Sequence, residues 1–211
     1  MELPFKQPVI IPQGKGLLEF EGFVIPEEVG EGNEREYLLE LAQQFLDNDF
    51  IPIPLVGKRP IVSEWQKITP KTSMRILEKT TGFDNLGLLT GESGGITVID
   101  IDNSDKEKGS DYFERILREA RLRYPDTYTV ATGGGGTHLY FNYVGNGLLS
   151  APLREGKTRF HIDIKNNGGQ IVAPGSIHPT TGKEYLVTND SAPIDMSDRL
   201  FQVLRKYQDL K

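Results

Sequence analysis

The sequence predicts a mixed α/β chain whose C-terminal half is an antiparallel sheet, and three stretches carry that expectation. In ITVIDID (96–102), THLYFNY (137–143) and RFHIDIK (159–165) apolar and polar residues alternate with the period of two that marks a strand with one buried face. The polar sets are Asp100 with Asp102, then His138, Tyr140 and Asn142, then His161, Asp163 and Lys165. Two carboxylates side by side at the edge of a buried sheet repel each other unless a cation sits between them. Three strands that each turn metal-competent groups to one sheet face therefore point to an active site.

The other elements follow in chain order. Residues 1–33 carry Pro4, Pro8, Pro12 and Pro26 among scattered Gly and Glu, which suits an extended arm with short strand pieces. From Asn33, with Glu36 three residues on as in a capping box, Tyr37, Leu38, Leu41, Ala42 and Phe45 keep helical spacing. IPIPLVGKRP (51–60) reads as an edge strand, because Pro52 and Pro54 cannot donate to ladders on both sides. A helix over 71–79 precedes NLGLLTG (85–91), a short strand ended by Gly91. After ITVIDID, Ser110 or a neighbour caps a helix that runs to about Arg123 and stops before Pro125, burying Tyr112, Phe113, Ile116, Leu117 and Ala120. Strands are expected near 127–131, 137–143, 160–164, 170–173 and 184–188, and a last helix near 196–209 buries Leu200, Phe201 and Leu204. No internal repeat and no low-complexity tract interrupts this order.

At 211 residues the chain is long enough to bury roughly 70% of its unfolded surface, so no disulfide or metal staple is needed to fold it. There are no cysteines, which excludes a cysteine-ligated zinc module and a disulfide framework and favours the cytoplasm. The opening MELPFKQP has no basic n-region and apolar core, and no run of about 18 apolar residues occurs, so neither a signal peptide nor a membrane span is expected. A formal net charge of −6 argues against a sequence-independent DNA coat but not against a nucleic-acid enzyme, because local clusters decide where a phosphate goes. Such clusters exist: Arg115, Arg118, Arg121 and Arg123 along one helix, and Arg154, Lys157, Arg159 and Lys165 around the third polar strand.

Each motif has an ordinary reading beside the functional one. Asp102, Asn103 and Ser104 would also serve to end a strand in a solvated turn; Asp163, a further carboxylate inside apolar alternation, tips the balance, since a buried unpaired Asp is expensive. The run Gly133–Gly136 fits neither the P-loop nor the dinucleotide fingerprint and is otherwise a flexible hairpin turn. Placed just before His138, Gly135 and Gly136 would let a ligand approach the backbone and let amide N–H groups face phosphate oxygens. Of the histidines, His138 has the strongest claim to function, His178 the next, and His161 reads as structural. No nucleophile elbow surrounds Ser176, whose hydroxyl would serve a phosphate or cap a turn. Phe141 and Tyr143 read as core packing, and Tyr140 is left open.

Taken together, IPLVGKRP with Trp65, NLGLLTG leading into TVIDIDN, TGGGGTHLYF, and HIDIKNNGGQIVAPGSIHP with KEYLV resemble the Prim-Pol (primase-polymerase) domains of the archaeo-eukaryotic primase superfamily, over 34 to about 188. Asp100 and Asp102 are similar to that family's Asp-x-Asp motif. Gly136-Thr137-His138 is similar to its small-x-His motif, with Gly where Ser is commoner, and Ile162-Asp163 to its third. Ser176 and His178 form a second Ser-x-His that matches the small-x-His motif as well.

The resemblance implies an archaeo-eukaryotic primase fold: an RRM-like antiparallel catalytic sheet (96–190) joined to an N-terminal αβ part (34–95) and followed by a C-terminal helix (195–210). It implies a DNA primase-polymerase in which Asp100, Asp102 and Asp163 hold two Mg²⁺ or Mn²⁺ ions; no zinc is expected, because the chain has no cysteine to build the zinc module that many primases carry. His138, Gly135, Gly136, Lys165, Ser176, His178 and Arg159 would bind the nucleoside triphosphate, with Arg154, Lys58 and Arg59 as further basic candidates. Partners would be a single-stranded DNA template and primer, and an accessory or helicase domain outside this chain. A metal-dependent nuclease or phosphohydrolase, and a catalytically silent nucleic-acid-binding module, are the competing readings.

Overall fold

The computed structural model describes residues 33–104 and 107–208, so the arm expected over 1–33 lies outside the described residues but for Asn33. Helix α1 (Glu34–Asp47) turns Leu38, Leu41, Ala42 and Phe45 inward, as their spacing requires. The capping box expected at Asn33 is not formed, since its side chain makes no capping bond. Arg35 instead fastens the start of this helix to the end of the next, donating to the carbonyls of Glu78 and Thr80 at 2.7 Å each.

Strands β1 (Pro52–Val56) and β2 (Arg59–Pro60) form a hairpin, so β1 is not the edge strand its prolines led us to expect. The proline rule still operates within it. The carbonyls of Ile51 and Leu55 face the neighbouring strand, accepting from Leu89 N and Asp84 N at 3.0 Å, which turns Pro52 and Pro54 to the other side. There β2 pairs only with Leu55 and Val56, and no N–H is demanded of either proline. Helix α2 (Pro70–Lys79) covers that side, with Ser73 Oγ donating to the Pro52 carbonyl at 2.5 Å.

Strand β3 (Asn85–Leu89) runs into a single turn, α3 (Gly91–Gly94), and then β4 (Ile96–Ile101). Gly91 thus opens a turn rather than merely ending a strand. Helix α4 (Gly109–Ala120) starts one residue before Ser110, with Lys108 at its N-cap. Gly109 is required there because a Cβ would lie 2.5 Å from the His161 carbonyl oxygen and 2.6 Å from that of Asp102.

The remaining elements are β5 (Thr129–Ala131), β6 (Thr137–Asn142), β7 (Ala151–Glu155), β8 (Thr158–Lys165), β9 (Gln170–Val172), β10 (Leu186–Asn189) and α5 (Asp198–Lys206). Strand β7 has no counterpart in the sequence reading. Its register slips between Pro152 and Arg154, so no clean alternation marks it.

Among the described residues the strands named above pair antiparallel in two sheets, ordered β2-β1-β3-β9 and β10-β5-β6-β4-β8-β7, and one isolated parallel bridge joins Phe141 to Ile194. Residues 170–172 therefore return to the first sheet after the chain has built most of the second. Helices α4 and α5 cover one face of the six-stranded sheet, where Ile99, Ile101, Leu139, Phe141, Phe160, Ile162 and Ile164 are buried with Leu117, Leu200 and Leu204. Its other face, through Val98, Val130 and Tyr140, packs on Ile53, Leu55, Leu86 and Leu88 of the first sheet. Alternation then turns Asp100, two residues after Val98, toward the first sheet.

Within this second core Tyr128 and Tyr140 meet edge to face at 5.1 Å, and neither hydroxyl has a hydrogen-bond partner among the described residues. Tyr140, left open by the sequence, is core. An unpaired buried hydroxyl is a liability, so Tyr128→Phe is expected to leave unfolding free energy unchanged or raise it by about 1 kcal/mol in urea denaturation.

Candidate active site

The site is organised by strand register. Asp100 on β4 stands opposite His138 on β6 and opposite Asp163 on β8, so three neighbouring strands contribute one polar row. His138 Nε2 lies 3.4 Å from Asp100 Oδ1. Lys165 Nζ lies 3.3 Å from Asp100 Oδ2 and 3.1 Å from Asp163 Oδ2, and Arg159 Nη2 lies 2.9 Å from Asp163 Oδ1. Asp102, one step past the end of β4, is held through its backbone: its N–H donates to the His161 carbonyl and its carbonyl accepts from Gly109 N, both at 2.9 Å.

These groups open onto a cavity of about 520 Å³ between the two sheets. Lys58 from the β1–β2 turn and Gln170 from β9 supply the first-sheet wall; His138, His178 and Tyr185 line the cavity from the second-sheet side. Tyr185 is packed between the two histidines, with ring centroids 5.6 Å from His138 and 6.1 Å from His178. Both small-x-His alignments thus bring a histidine to the same cavity.

Charge and burial set the protonation states. Burial pushes the Asp100 carboxyl above its ordinary range and the Asp163 charge adds to this, with Lys165 opposing. Asp102 moves the same way, through burial and then the charges of Asp100 and Asp163. Burial also acts upward on Asp163, but Lys165 and the Arg159 hydrogen bond together hold it below its ordinary value. Burial and then the charge of Lys165 press His138 down to about 3, so its imidazole is neutral near pH 7, and its Nδ1 has no partner among the described residues.

The glycine run works differently from the sequence expectation. Thr132 Oγ1 accepts from Gly136 N at 2.8 Å and the Thr132 carbonyl from Gly135 N at 3.0 Å, so both amides bond inside the turn and not toward the cavity. Gly134 is the member of the run that lines the cavity, next to His178. Gly136 is needed for close approach, since a Cβ there would lie 2.3 Å from the Ile101 carbonyl oxygen.

Ser176 is not at the cavity: its buried hydroxyl donates to the Leu86 carbonyl and accepts from Leu86 N, both at 3.2 Å, joining it to β3. Arg59 and Arg154 lie outside the cavity lining, while Arg159 reaches the site through Asp163. His161, read as structural, lines the cavity with φ of 55° and pairs with Glu107. Tyr143 lies past the end of β6, half-buried, with its hydroxyl 2.8 Å from Asn167 Nδ2 and not in the core.

Sequence reasoning missed Tyr185, Thr132 and Asn103. Asn103 joins three parts of the site: its Nδ2 donates to the Gly135 carbonyl at 3.1 Å and its Oδ1 accepts from Ser110 N at 3.1 Å. Asn103→Ala is accordingly expected to cost about 1 kcal/mol in thermal or urea unfolding.

The donor set is all oxygen, which suits a hard divalent ion. A cation already stands between two of the carboxylates, in the form of the Lys165 ammonium. Among the described residues no three carboxylate, imidazole or thiolate groups close on a common point. The site as it stands thus holds three carboxylates with a protein charge between two of them.

A search of curated protein sequences finds no match. A family model described as bifunctional DNA primase/polymerase, N-terminal (Prim-Pol) matches residues 39–199, which include the polar row, both histidines and Tyr185. The family's activity is nucleotidyl transfer of the DNA primase/polymerase type, its members generally use divalent metal ions, and its ligands are nucleic acid and nucleotides. Among the described residues no helix is long and apolar enough to cross a membrane. With most of its length matched, including every acidic residue of the site, the chain belongs to the Prim-Pol family.

Proposed function

We propose that this chain is a DNA primase-polymerase of archaeo-eukaryotic primase fold that synthesises or extends primers on single-stranded DNA, drawing on nucleoside triphosphates. The observation that carries this reading is the facing pair Asp100 and Asp163 on adjacent strands, with a cation between them at 3.3 and 3.1 Å. Asp100 and Asp163, with Asp102 beside them, would hold Mg²⁺ or Mn²⁺. When bound, such ions lower the pKa of an attacking 3′-hydroxyl and neutralise the departing pyrophosphate.

The chain's own groups do the rest. His138 offers a neutral imidazole that binds phosphate oxygen by donation without adding a fixed charge beside the metal ligands. His178 faces the same cavity from the other side of Tyr185, and Lys58 adds a positive charge at its wall. Deep placement of Asp100 and His138 limits water at the reacting end of the cavity. Residues 34–95, 96–190 and 195–210 would be the αβ part, catalytic sheet and closing helix of one cytoplasmic catalytic domain that works beside an accessory or helicase domain.

The test is a labelled primer on a single-stranded template with deoxynucleotides and Mn²⁺ or Mg²⁺. Lengthening that stops on addition of EDTA supports the proposal; shortening would assign a nuclease, and an unchanged primer that is still bound would assign a silent binding module. In the same assay His138→Ala is expected to lower kcat/KM for nucleotide by about 10- to 100-fold, the scale of one lost charge-assisted contact.

A further inference from the structure

We infer that Lys165 is a built-in placeholder cation: it occupies the divalent-ion position between Asp100 and Asp163, and a metal ion must displace it to bind. This rests on reading the site as a divalent-ion centre. Lys165 projects from β8 two residues beyond Asp163, on the same face, and β4 brings Asp100 opposite Asp163. Its ammonium reaches both carboxylates, at 3.3 and 3.1 Å, while its side chain is only 24% exposed and theirs 15% and 23%.

Two half-buried carboxylates facing each other repel strongly enough to need a counter-charge in the unloaded protein. The rest of the site leaves that task to Lys165. Arg159 is engaged with Asp163 Oδ1, whereas Lys165 alone reaches both carboxylates. A divalent ion and an ammonium cannot share the same two oxygens, so each weakens the binding of the other. Once displaced, the lysine is left beside a cavity lined by Lys58 and two histidines, where incoming polyphosphate offers it a new partner. The same residue would then suppress metal binding in the empty site and support the nucleotide in the loaded one.

The test uses Mn²⁺ alone, without nucleotide, titrated into the full chain and followed by electron paramagnetic resonance of the free ion. Lys165→Met, close in length and apolar, is expected to bind Mn²⁺ about tenfold more tightly than the wild type, the scale of a moderate coupling between two sites. Lys165→Gln, as a second substitution at the same position, should move in the same direction. Equal or weaker Mn²⁺ affinity in folded Lys165→Met and Lys165→Gln overturns the inference.

Wild-type protein supplies an independent reading. Mn²⁺ should raise acylation of Lys165 by an amine-specific reagent, followed by peptide mass spectrometry, whereas unchanged labelling at saturating Mn²⁺ overturns the placeholder role. Asp163→Asn separates the two levels of the argument. If it binds Mn²⁺ as well as the wild type does, the metal-centre reading fails; if it loses Mn²⁺ while the lysine variants bind no more tightly than wild type, only the placeholder role fails.

Discussion

Asp100→Asn and Asp163→Asn are each expected to reduce primer extension by about a thousandfold or more, the scale of losing a central charge-stabilising group. Their effects on stability should have opposite signs. Asp100 is half-buried, and desolvation raises its carboxyl above the ordinary carboxylate range, so its charged form near pH 7 is less favourable folded than unfolded. Removing that charge should leave the protein as stable as before or more so. Asp163 is held below its ordinary value by Lys165 and Arg159 despite burial, so its charge contributes stability above the unfolded carboxylate pKa and loses it as pH falls through the folded one. Asp163→Asn should therefore lose up to about 1 kcal/mol near pH 7, a discounted figure because the group is partly solvated. Urea unfolding of both variants beside the extension assay checks the pair. An Asp100→Asn protein that is inactive because it is unfolded would count against the assignment.

Gly136→Ala is expected to damage both fold and function, by about 2–3 kcal/mol in unfolding free energy and with a marked loss of kcat. The reason is contact rather than backbone freedom. The new methyl would stand 2.3 Å from the Ile101 carbonyl oxygen, closer than real Cβ atoms come, and 3.1 Å from Thr132 Oγ1, a tight contact. Relief must move either the glycine turn or the end of β4, and Ile101 sits between Asp100 and Asp102 in the chain. Gly135→Ala is the control. Nothing lies within 4 Å of its Cβ position, but its φ is +88°, so the substitution should cost about 1 kcal/mol through backbone strain alone and leave turnover nearly intact. Equal behaviour of the two variants would contradict the close-approach argument.

The faces of the polar strands were legible in the sequence, because alternation alone decides which side chains look the same way. ITVIDID puts Ile99 and Ile101, and RFHIDIK puts Phe160, Ile162 and Ile164, on the face opposite their aspartates, and the core under the helices respects this. What alternation does not contain is register: that Asp100 faces both His138 and Asp163 is a property of pairing between distant segments. The same limit explains β1, where Pro52 and Pro54 correctly marked a side without a ladder but not the short β2 that pairs beyond them. It also explains β7, whose slipped register leaves no period to read.

At the site, residue type was a better guide than local motif. The carboxylates, His138, His178 and Lys165 all reach the cavity. The Gly135 and Gly136 amides and the Ser176 hydroxyl do not, because each satisfies a nearby backbone or side-chain partner first. Tyr185 falls within KEYLV but nothing local marks its role, and its place at the site comes through packing between two histidines.

Anomalous scattering from crystals soaked in Mn²⁺ and a nucleoside triphosphate would show whether Asp100 and Asp163 frame a divalent-ion centre. A Mn²⁺ peak is expected within bonding distance of oxygens from both Asp100 and Asp163, with the Lys165 ammonium moved off them. Mn²⁺ density confined to other residues, with Lys165 still between the two carboxylates at full nucleotide occupancy, would contradict it.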